Sequence, residues 1–140
     1  MTEFTEKYKI LKEIGAGTEG IIYEALDLKN DRKVAVKQLN LFNENQVEKV
    51  LKEIELVQSL NHENIIKYYE YLKHINIDPF TSDEEIEIYI IMELCDFTLD
   101  FLIQQKRQNL EIFDTVLLKS LTIQICSALK EIHNLNIIHR

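Results

Sequence analysis

The pattern of apolar and polar residues divides the front of the chain into short segments typical of β-strands. Residues 8–14 alternate roughly between apolar and polar positions, which predicts a first strand. Segments enriched in β-branched and aromatic residues predict further strands at residues 21–23, 33–37, 67–73 and 86–92. Between the last two strands, residues 74–85 carry the only proline of the chain and four acids, so we expect an exposed, mobile insertion there.

A helical pattern replaces the strand pattern between about residues 45 and 60. The apolar residues on one broad arc of this helix are Val47, Val50, Leu51, Ile54, Val57 and Leu60. Glu53 projects inside the same arc, and a carboxylate that faces a core is costly unless a cation or hydrogen-bond donors meet it. Lys37, at the end of an apolar strand, is its candidate partner. The alternative is a glutamate at the rim of the helix face, with its carboxylate in water.

Two nearly identical hexapeptides occur in these two kinds of segment. Residues 9–14 read KILKEI, and residues 49–54 read KVLKEI. Local propensity yields to context. We therefore expect a strand for the first hexapeptide, which precedes a cluster of glycines, and a helix for the second, which lies in the helical window.

The last third of the chain is predicted to be helical. Residues 98–106 indicate a short helix, which a polar break at residues 107–109 ends. Residues 113–134 carry apolar residues at three- and four-residue steps and predict a long helix. Its aliphatic side chains lie on more than one side. We therefore expect the isolated chain to aggregate, to self-associate through this helix, or to keep the segment after Cys95 molten while the front part folds.

Composition limits the class of protein. A chain of 140 residues with 46% hydrophobic and 29% charged residues is ordinary for one globular domain. The net charge of −8 argues against a nucleic-acid or anionic-membrane surface. No apolar run approaches the length of a membrane span, and the N-terminus lacks the apolar region of a signal peptide. Cys95 and Cys126 have no metal-like spacing. The predicted setting is intracellular and cytoplasmic.

All three glycines of the chain, Gly15, Gly17 and Gly20, lie within six residues. Successive backbone N–H groups in such a loop form a concavity for anions, typically phosphate. In a dinucleotide-binding fold these glycines open a helix, but here the strand-like residues 21–23 follow them. The Gly-Lys-Ser/Thr of a Walker loop is also absent. The order of glycine loop, strand, turn and lysine-ended strand predicts a β-meander.

This stretch resembles the glycine-rich loop of protein kinases. Ile22 takes the Val position of G-x-G-x-x-G-x-V, and residues 34–37, VAVK, match the V-A-I-K strand of that family. Residues 92–95, MELC, are similar to the kinase hinge, and residues 139–140 to the H-R of H-R-D. The resemblance implies an α+β fold. Residues 1–95 would form a kinase N-lobe with a five-stranded antiparallel sheet and one main helix, and residues 96–140 the truncated start of a helical C-lobe.

The resemblance also implies ATP as the bound nucleotide. Lys37 and Glu53 would form the ion pair that positions the α- and β-phosphates. The residues implied around the phosphates are Gly15, Ala16, Gly17, Thr18, Glu19 and Gly20. The residues implied around the adenine are Ile14, Ile22, Ala35, the gatekeeper Met92, the Glu93 carbonyl and the Cys95 amide. The ribose contact is left open between Asp96 and Thr98, and no metal ligand is assigned.

The kinase catalytic Asp and the Mg²⁺ ligands fall beyond Arg140. We therefore expect these residues alone to be catalytically inactive, with Mg²⁺ bound only by a complete domain that phosphorylates a protein substrate. The sequence is then the ATP-binding portion of a kinase, of the serine/threonine type by base rates. The alternative is a non-catalytic, pseudokinase-like binding or regulatory module. An unrelated nucleotide-binding enzyme is disfavoured by the strand after the glycines. ELCDFTL and HNLNIIHR are similar to segments of stress-sensing and translation-control kinases.

Overall fold

The computed structural model of the chain describes residues 2–18, 20–77 and 84–138. The elements in chain order are α1 (Glu3–Lys7), β1 (Tyr8–Gly17), β2 (Gly20–Asp27), β3 (Arg32–Leu41), α2 (Glu44–Ser59), β4 (Tyr68–Ile77), β5 (Glu84–Met92), α3 (Leu99–Gln108) and α4 (Thr115–Asn134). They form two compact units. The first unit runs to Ser59 and resumes over Lys67–Leu94, and the second comprises Leu60–Ile66 and the chain from Cys95 onward. None of the helices in the described ranges is long and apolar enough to span a bilayer.

The first unit is a five-stranded antiparallel sheet in the order β1-β2-β3-β5-β4. This architecture confirms the predicted α+β fold with a five-stranded antiparallel sheet. Because side chains alternate across a strand, each face buries its own core. The helix face packs against α2 through Leu39, Val47, Ile54, Ile86, Ile88 and Ile90. The outer face buries Phe4, Tyr8, Ala25, Val34, Val36, Leu72 and Ile91.

Helix α2 matches the predicted window, and its buried residues, Val47 and Ile54, come from the predicted apolar arc. A reciprocal pair of side-chain bonds fixes its start. The backbone N–H of Gln46 donates to Asn43 Oδ1 (3.0 Å), and the backbone N–H of Phe42 donates to Gln46 Oε1 (2.9 Å). This arrangement is close to a capping box, which satisfies backbone donors that the first helical turn leaves without partners.

The short helix α1 is a finding that the sequence patterns did not predict. Thr2 caps it by accepting a hydrogen bond from the backbone N–H of Thr5. Phe4 is only 6% exposed and stacks on Tyr89, with ring centroids 4.2 Å apart, and on Tyr8 at 5.8 Å. Helix α1 therefore covers the outer face of the sheet.

A polar contact joins the two edge strands of the sheet across this face. The Tyr8 hydroxyl at the start of β1 donates to Glu70 Oε1 on β4 (2.5 Å), and Lys7 Nζ lies 3.3 Å from Glu70 Oε2. Since β1 and β4 are opposite edges, the sheet must curl to bring them together. Burial and the Glu70 carboxylate raise the pKa of Tyr8, so its hydroxyl remains a donor at physiological pH.

The β4–β5 hairpin is longer than predicted. Strand β4 continues to Ile77 and β5 begins at Glu84, with Ile75 opposite Ile86 and Ile77 opposite Glu84. The predicted bounds of the insertion, residues 74–85, were therefore wrong, because residues 74–77 and 84–85 pair as strands, whereas residues 75–77 and 84 are exposed as predicted. The rest of that prediction, residues 78–83, lies outside the described residues.

The second unit contains the two predicted helices. Thr98 caps α3 by accepting from the backbone N–H of Phe101, and Asp114 caps α4 by accepting from that of Val116. Neither helix has a buried side chain. Within the same unit, His62 Nδ1 accepts from the backbone N–H of Asn64 (3.1 Å), and His62 Nε2 lies 3.0 Å from Ser127 Oγ. These bonds tie the segment after α2 to helix α4.

Candidate nucleotide site

The glycine cluster forms the turn of the β1–β2 hairpin, where Gly17 is opposite Gly20 and Thr18 lies in the turn. The predicted site residue Glu19 lies outside the described residues. Gly20 has φ +130°, and a Cβ atom there would lie 2.1 Å from the Gln38 carbonyl oxygen. A Cβ on Gly17 would meet nothing within 4 Å. The backbone conformation therefore requires glycine at position 20, whereas Gly17 leaves open space above the loop.

Lys37 lies on the helix face of β3, opposite Ile22 of β2 and Ile90 of β5. Ala35 precedes it on the same face and is opposite Met92, the last residue of β5. Ala35 and Met92 are 5% and 8% exposed. Residues of β2, β3 and β5 that are predicted to contact the phosphates or the adenine therefore lie on one face of the sheet.

A cavity of about 580 Å³ opens on this face beside α2. The predicted site residues that line it are Gly17, Thr18, Gly20, Lys37 and Glu53. Glu53 is exposed and also lines the cavity, so it lies at the rim of the cavity. The fold therefore brings the glycine loop, the β3 lysine and the α2 glutamate to one space, although they are distant in sequence.

The remaining predicted nucleotide contacts lie outside this cavity lining. They are Ile14, Gly15, Ala16, Ile22, Ala35, Met92, Glu93 and Cys95. Ile14, in β1, is 44% exposed. The cavity therefore corresponds to the phosphate end of the predicted site and extends toward the start of α2 rather than toward the hinge.

The predicted hinge is anchored at its first residue. The backbone N–H of Glu93 donates to the Lys67 carbonyl (2.9 Å), and the backbone N–H of Lys67 donates to Glu93 Oε2 (3.3 Å). This pairing continues the β4–β5 ladder one step beyond Met92 and fixes the direction in which the chain leaves the sheet. Cys95 is exposed and begins the second unit. The Thr98 hydroxyl oxygen already accepts the capping bond of α3, and Asp96 is exposed.

Several cavity-lining residues were absent from the sequence-based site. Gln38, Leu39, Asn40, Leu41, Phe42, Gln46, Val50, Ile54, Tyr68 and Ile90 are the main examples. Gln46 had a readable signal, because Asn43 and Gln46 have the spacing of a capping box. The rest are apolar or amide residues of the strands, of α2 and of the β3–α2 connection, and they become lining residues only through packing.

The helix face also carries a charged residue on β2. Glu24 lies opposite Ala35, and hydrogen bonds from Lys33 and then Lys12 lower the pKa of its carboxyl group. In contrast, no group of three or more His, Cys, Asp or Glu side chains in the described ranges could hold a metal ion.

Comparison with known proteins agrees with this geometry. The family model described as protein kinase domain matches residues 8–140. Two curated relatives, from two strains of Candida albicans and both named extracellular signal-regulated kinase 1, are 33% identical to the chain over 137 residues. The matched region is 97% of this chain but 31% and 30% of the relatives, so the chain spans about a third of their length. Since the family model covers nearly all of the sequence, the chain belongs to the protein kinase family.

Proposed function

We propose that these residues are the ATP-binding portion of a protein kinase. The observation that carries this proposal is the cavity that Gly17, Thr18, Gly20, Lys37 and Glu53 line together. Backbone N–H groups of the loop would meet the phosphates, because a phosphate is best met by oriented donors near a cation. Membership of the kinase family supports ATP as the nucleotide.

Lys37 would carry the positive charge that meets the α- and β-phosphates, and Glu53 would hold its ammonium group in place. The adenine would lie between Ile14, Ile22 and Ala35. Met92 would lie behind it, and the Glu93 carbonyl and Cys95 amide at its edge. Ala35 and Met92 are opposite each other on β3 and β5. This pairing supports a closely packed surface at the predicted adenine end of the site. The assignment of the ribose contact to Asp96 or Thr98 stays a prediction.

Calorimetric titration with ATP tests the role of Lys37. Loss of a charge-assisted contact costs about 1.5–3 kcal/mol, so we expect Lys37→Ala to weaken ATP binding by about tenfold or more. Lys52→Ala is the matched control, since Lys52 lies on α2 with its side chain 77% exposed and outside the cavity lining. Equal affinities of wild type and Lys37→Ala would refute the proposed role of the lysine.

Phosphoryl transfer depends on positioning and on charge neutralisation by groups that the resemblance assigns beyond Arg140. We therefore propose that residues 1–140 alone bind ATP without transferring phosphate, and that their affinity responds little to Mg²⁺. In the complete domain, ATP and Mg²⁺ would serve phosphorylation of serine or threonine in a protein substrate. A non-catalytic regulatory module is the alternative, and a phosphorylation assay on a longer chain that continues past Arg140 separates the two.

The cellular setting is also a proposal. We propose an intracellular, cytoplasmic setting because two cysteines do not make a disulfide framework. The acidic net charge argues against nucleic-acid or membrane partners. The relatives found by comparison carry the name extracellular signal-regulated kinase 1. The similarity to stress-sensing and translation-control kinases therefore stays a prediction from two short segments.

Self-association through α4 is the remaining proposal on partners. This helix has no buried side chain, and Val116, Ile123 and Ile125 are 72%, 67% and 50% exposed. Burying a large aliphatic side chain contributes about 1.5–3 kcal/mol, which favours association of such a surface. Sedimentation velocity is the test. We expect Ile123→Ser to reduce association and Lys119→Ser, on the same helix, to leave it unchanged, whereas a monomeric wild type would contradict the proposal.

A further inference from the structure

Glu24 is one of two buried charged residues in the described ranges, the other being Asp27. Its Oε1 lies 2.7 Å from Lys33 Nζ on β3, and its Oε2 lies 3.2 Å from Lys12 Nζ on β1. The two lysine side chains are 66% and 63% exposed, whereas the glutamate side chain is 11% exposed. We call these three residues the Glu24 bridge. It connects three consecutive strands on the face that carries the nucleotide site.

A register shift in β1 directs Lys12 to this bridge. Ile10 is opposite Ala25, and regular pairing would place Leu11 opposite Glu24. A register shift omits Leu11 and places Lys12 there instead. Because side chains alternate across a strand, the shift turns the lysine from the outer face to the helix face.

A second shift, between Glu13 and Gly15, omits Ile14 and places Gly15 opposite Ile22. The ladder is therefore irregular on both sides of the Lys12–Glu13 segment. A bulge locally disrupts ladder hydrogen bonds, so the backbone attachment of β1 to β2 is weakened on both sides of Lys12–Glu13, before pairing resumes from Gly15 to Gly17. A side-chain contact at Lys12 can compensate for that weakness.

We propose that Glu24 is a positioning residue for nucleotide binding. Through Lys12 it holds β1 against β2, and this contact fixes the position of the glycine loop relative to the sheet. Glu24 lies opposite Ala35, and Lys12 is three residues before Gly15, so the bridge borders both ends of the site. Lys33 is the second arm. It ties Glu24 to β3 rather than to β1. This inference rests on the proposed ATP-binding function.

Hydrogen exchange of the full 140-residue chain without nucleotide tests the bridge directly. An ion pair with exposed partners shifts a local equilibrium modestly, so we expect Lys12→Met to speed exchange across residues 13–18 about two- to fivefold. Lys33→Met is the matched control, with similar exposure and the same partner, and we expect it to leave this exchange unchanged. Lys12→Arg keeps the charge and is expected to behave as wild type. Exchange in the core strand residues 34–36 reports general stability.

Two results would overturn the inference. One is loop exchange that neither Lys12→Met nor Glu24→Gln changes. The other is faster exchange of the loop and of residues 34–36 together in both lysine variants, because this describes a general stabilising contact. Faster exchange confined to residues 13–18 in Lys12→Met and Glu24→Gln supports it.

ATP titration separates a positioning role of the Glu24 bridge from an effect of its charge alone. Lys12→Met removes a cation from the face that carries the nucleotide site, whereas the double variant Lys12→Met, Glu24→Gln keeps the net charge of wild type. If the bridge positions the loop, both variants bind ATP about two- to fivefold more weakly. If only charge matters, the double variant binds as wild type and the inference fails. A wild type that does not bind ATP would refute the proposed function, while hydrogen exchange still decides the bridge.

Discussion

Replacement of Gly20 by alanine is expected to destabilise the sheet far more than the same change at Gly17. Gly20 has φ +130°, a conformation that residues with a side chain rarely adopt. Its Cβ would also lie 2.1 Å from the Gln38 carbonyl oxygen and 3.1 Å from Leu39 Cδ2. The first contact is with backbone, so relief requires movement of β2 against β3 rather than rotation of a side chain.

The magnitude follows from two effects that act at this position. A strained backbone conformation costs about 1–3 kcal/mol, and a packing clash that shifts the backbone costs about 1–3 kcal/mol more. The expected loss of about 2–6 kcal/mol is a large share of the 5–15 kcal/mol typical of a domain. Gly17 lacks both effects, so Gly17→Ala is expected to change the free energy of unfolding by less than about 0.5 kcal/mol.

Urea unfolding followed by far-UV circular dichroism measures the difference. Tyrosine fluorescence is a second probe, since the chain has six tyrosines and no tryptophan. We expect a lower midpoint for Gly20→Ala and an unchanged midpoint for Gly17→Ala, at equal slopes. Equal midpoints for the two variants would refute the argument, because they would show that the β2–β3 backbone accommodates a Cβ atom at position 20.

Three further changes probe the rest of the first unit, each by urea unfolding. Asp27→Asn is expected to cost about 1–3 kcal/mol at pH 7. Burial raises the pKa of Asp27, but hydrogen bonds from Asn30 and Arg32 hold it below its usual value. The difference in the free energy of unfolding between wild type and Asp27→Asn persists above about pH 4 and disappears as the pH falls through that lowered pKa. A difference independent of pH would contradict this reasoning. Phe4→Ala is expected to cost up to about 3–5 kcal/mol, and Phe42→Ala, at a 72% exposed position, less than about 0.5 kcal/mol. Tyr8→Phe removes the bond to Glu70 and is expected to cost about 1.5–3 kcal/mol; the same change at the exposed Tyr71 is the control.

The two similar hexapeptides show how far the sequence determines the fold. Residues 9–14 lie in β1 and residues 49–54 in α2, as their flanking patterns predicted. The shared final isoleucine is 44% exposed in the strand, as Ile14, and 1% exposed in the helix, as Ile54. Periodicity over a whole window, and not the local hexapeptide, carried the correct prediction. The glycine spacing and the VAVK strand likewise predicted the neighbourhood of Gly20 and Lys37.

The features that were not predictable depend on residues distant in sequence. Helix α1 has five residues, too few for a periodic signal or for stability alone, and it is held by the packing of Phe4 on Tyr89. The polar end of the β4–β5 hairpin looked like a loop because its strand character comes from cross-strand pairing. The β1 bulges leave no local signal, since a shift by one residue is defined only by the partner strand.

These non-local features converge on β1, the edge strand that carries the glycine loop. On the outer face its first residue, Tyr8, is tied to β4 through Glu70, and Lys7, the last residue of α1, contacts the same carboxylate. On the helix face its middle is tied to β2 by Lys12 through Glu24. Beyond Gly15 the loop has open space, since a Cβ on Gly17 would meet nothing within 4 Å. The strand therefore has one side-chain anchor on each face of the sheet. Because the two anchors share no partner, loss of both should affect loop exchange additively in free energy.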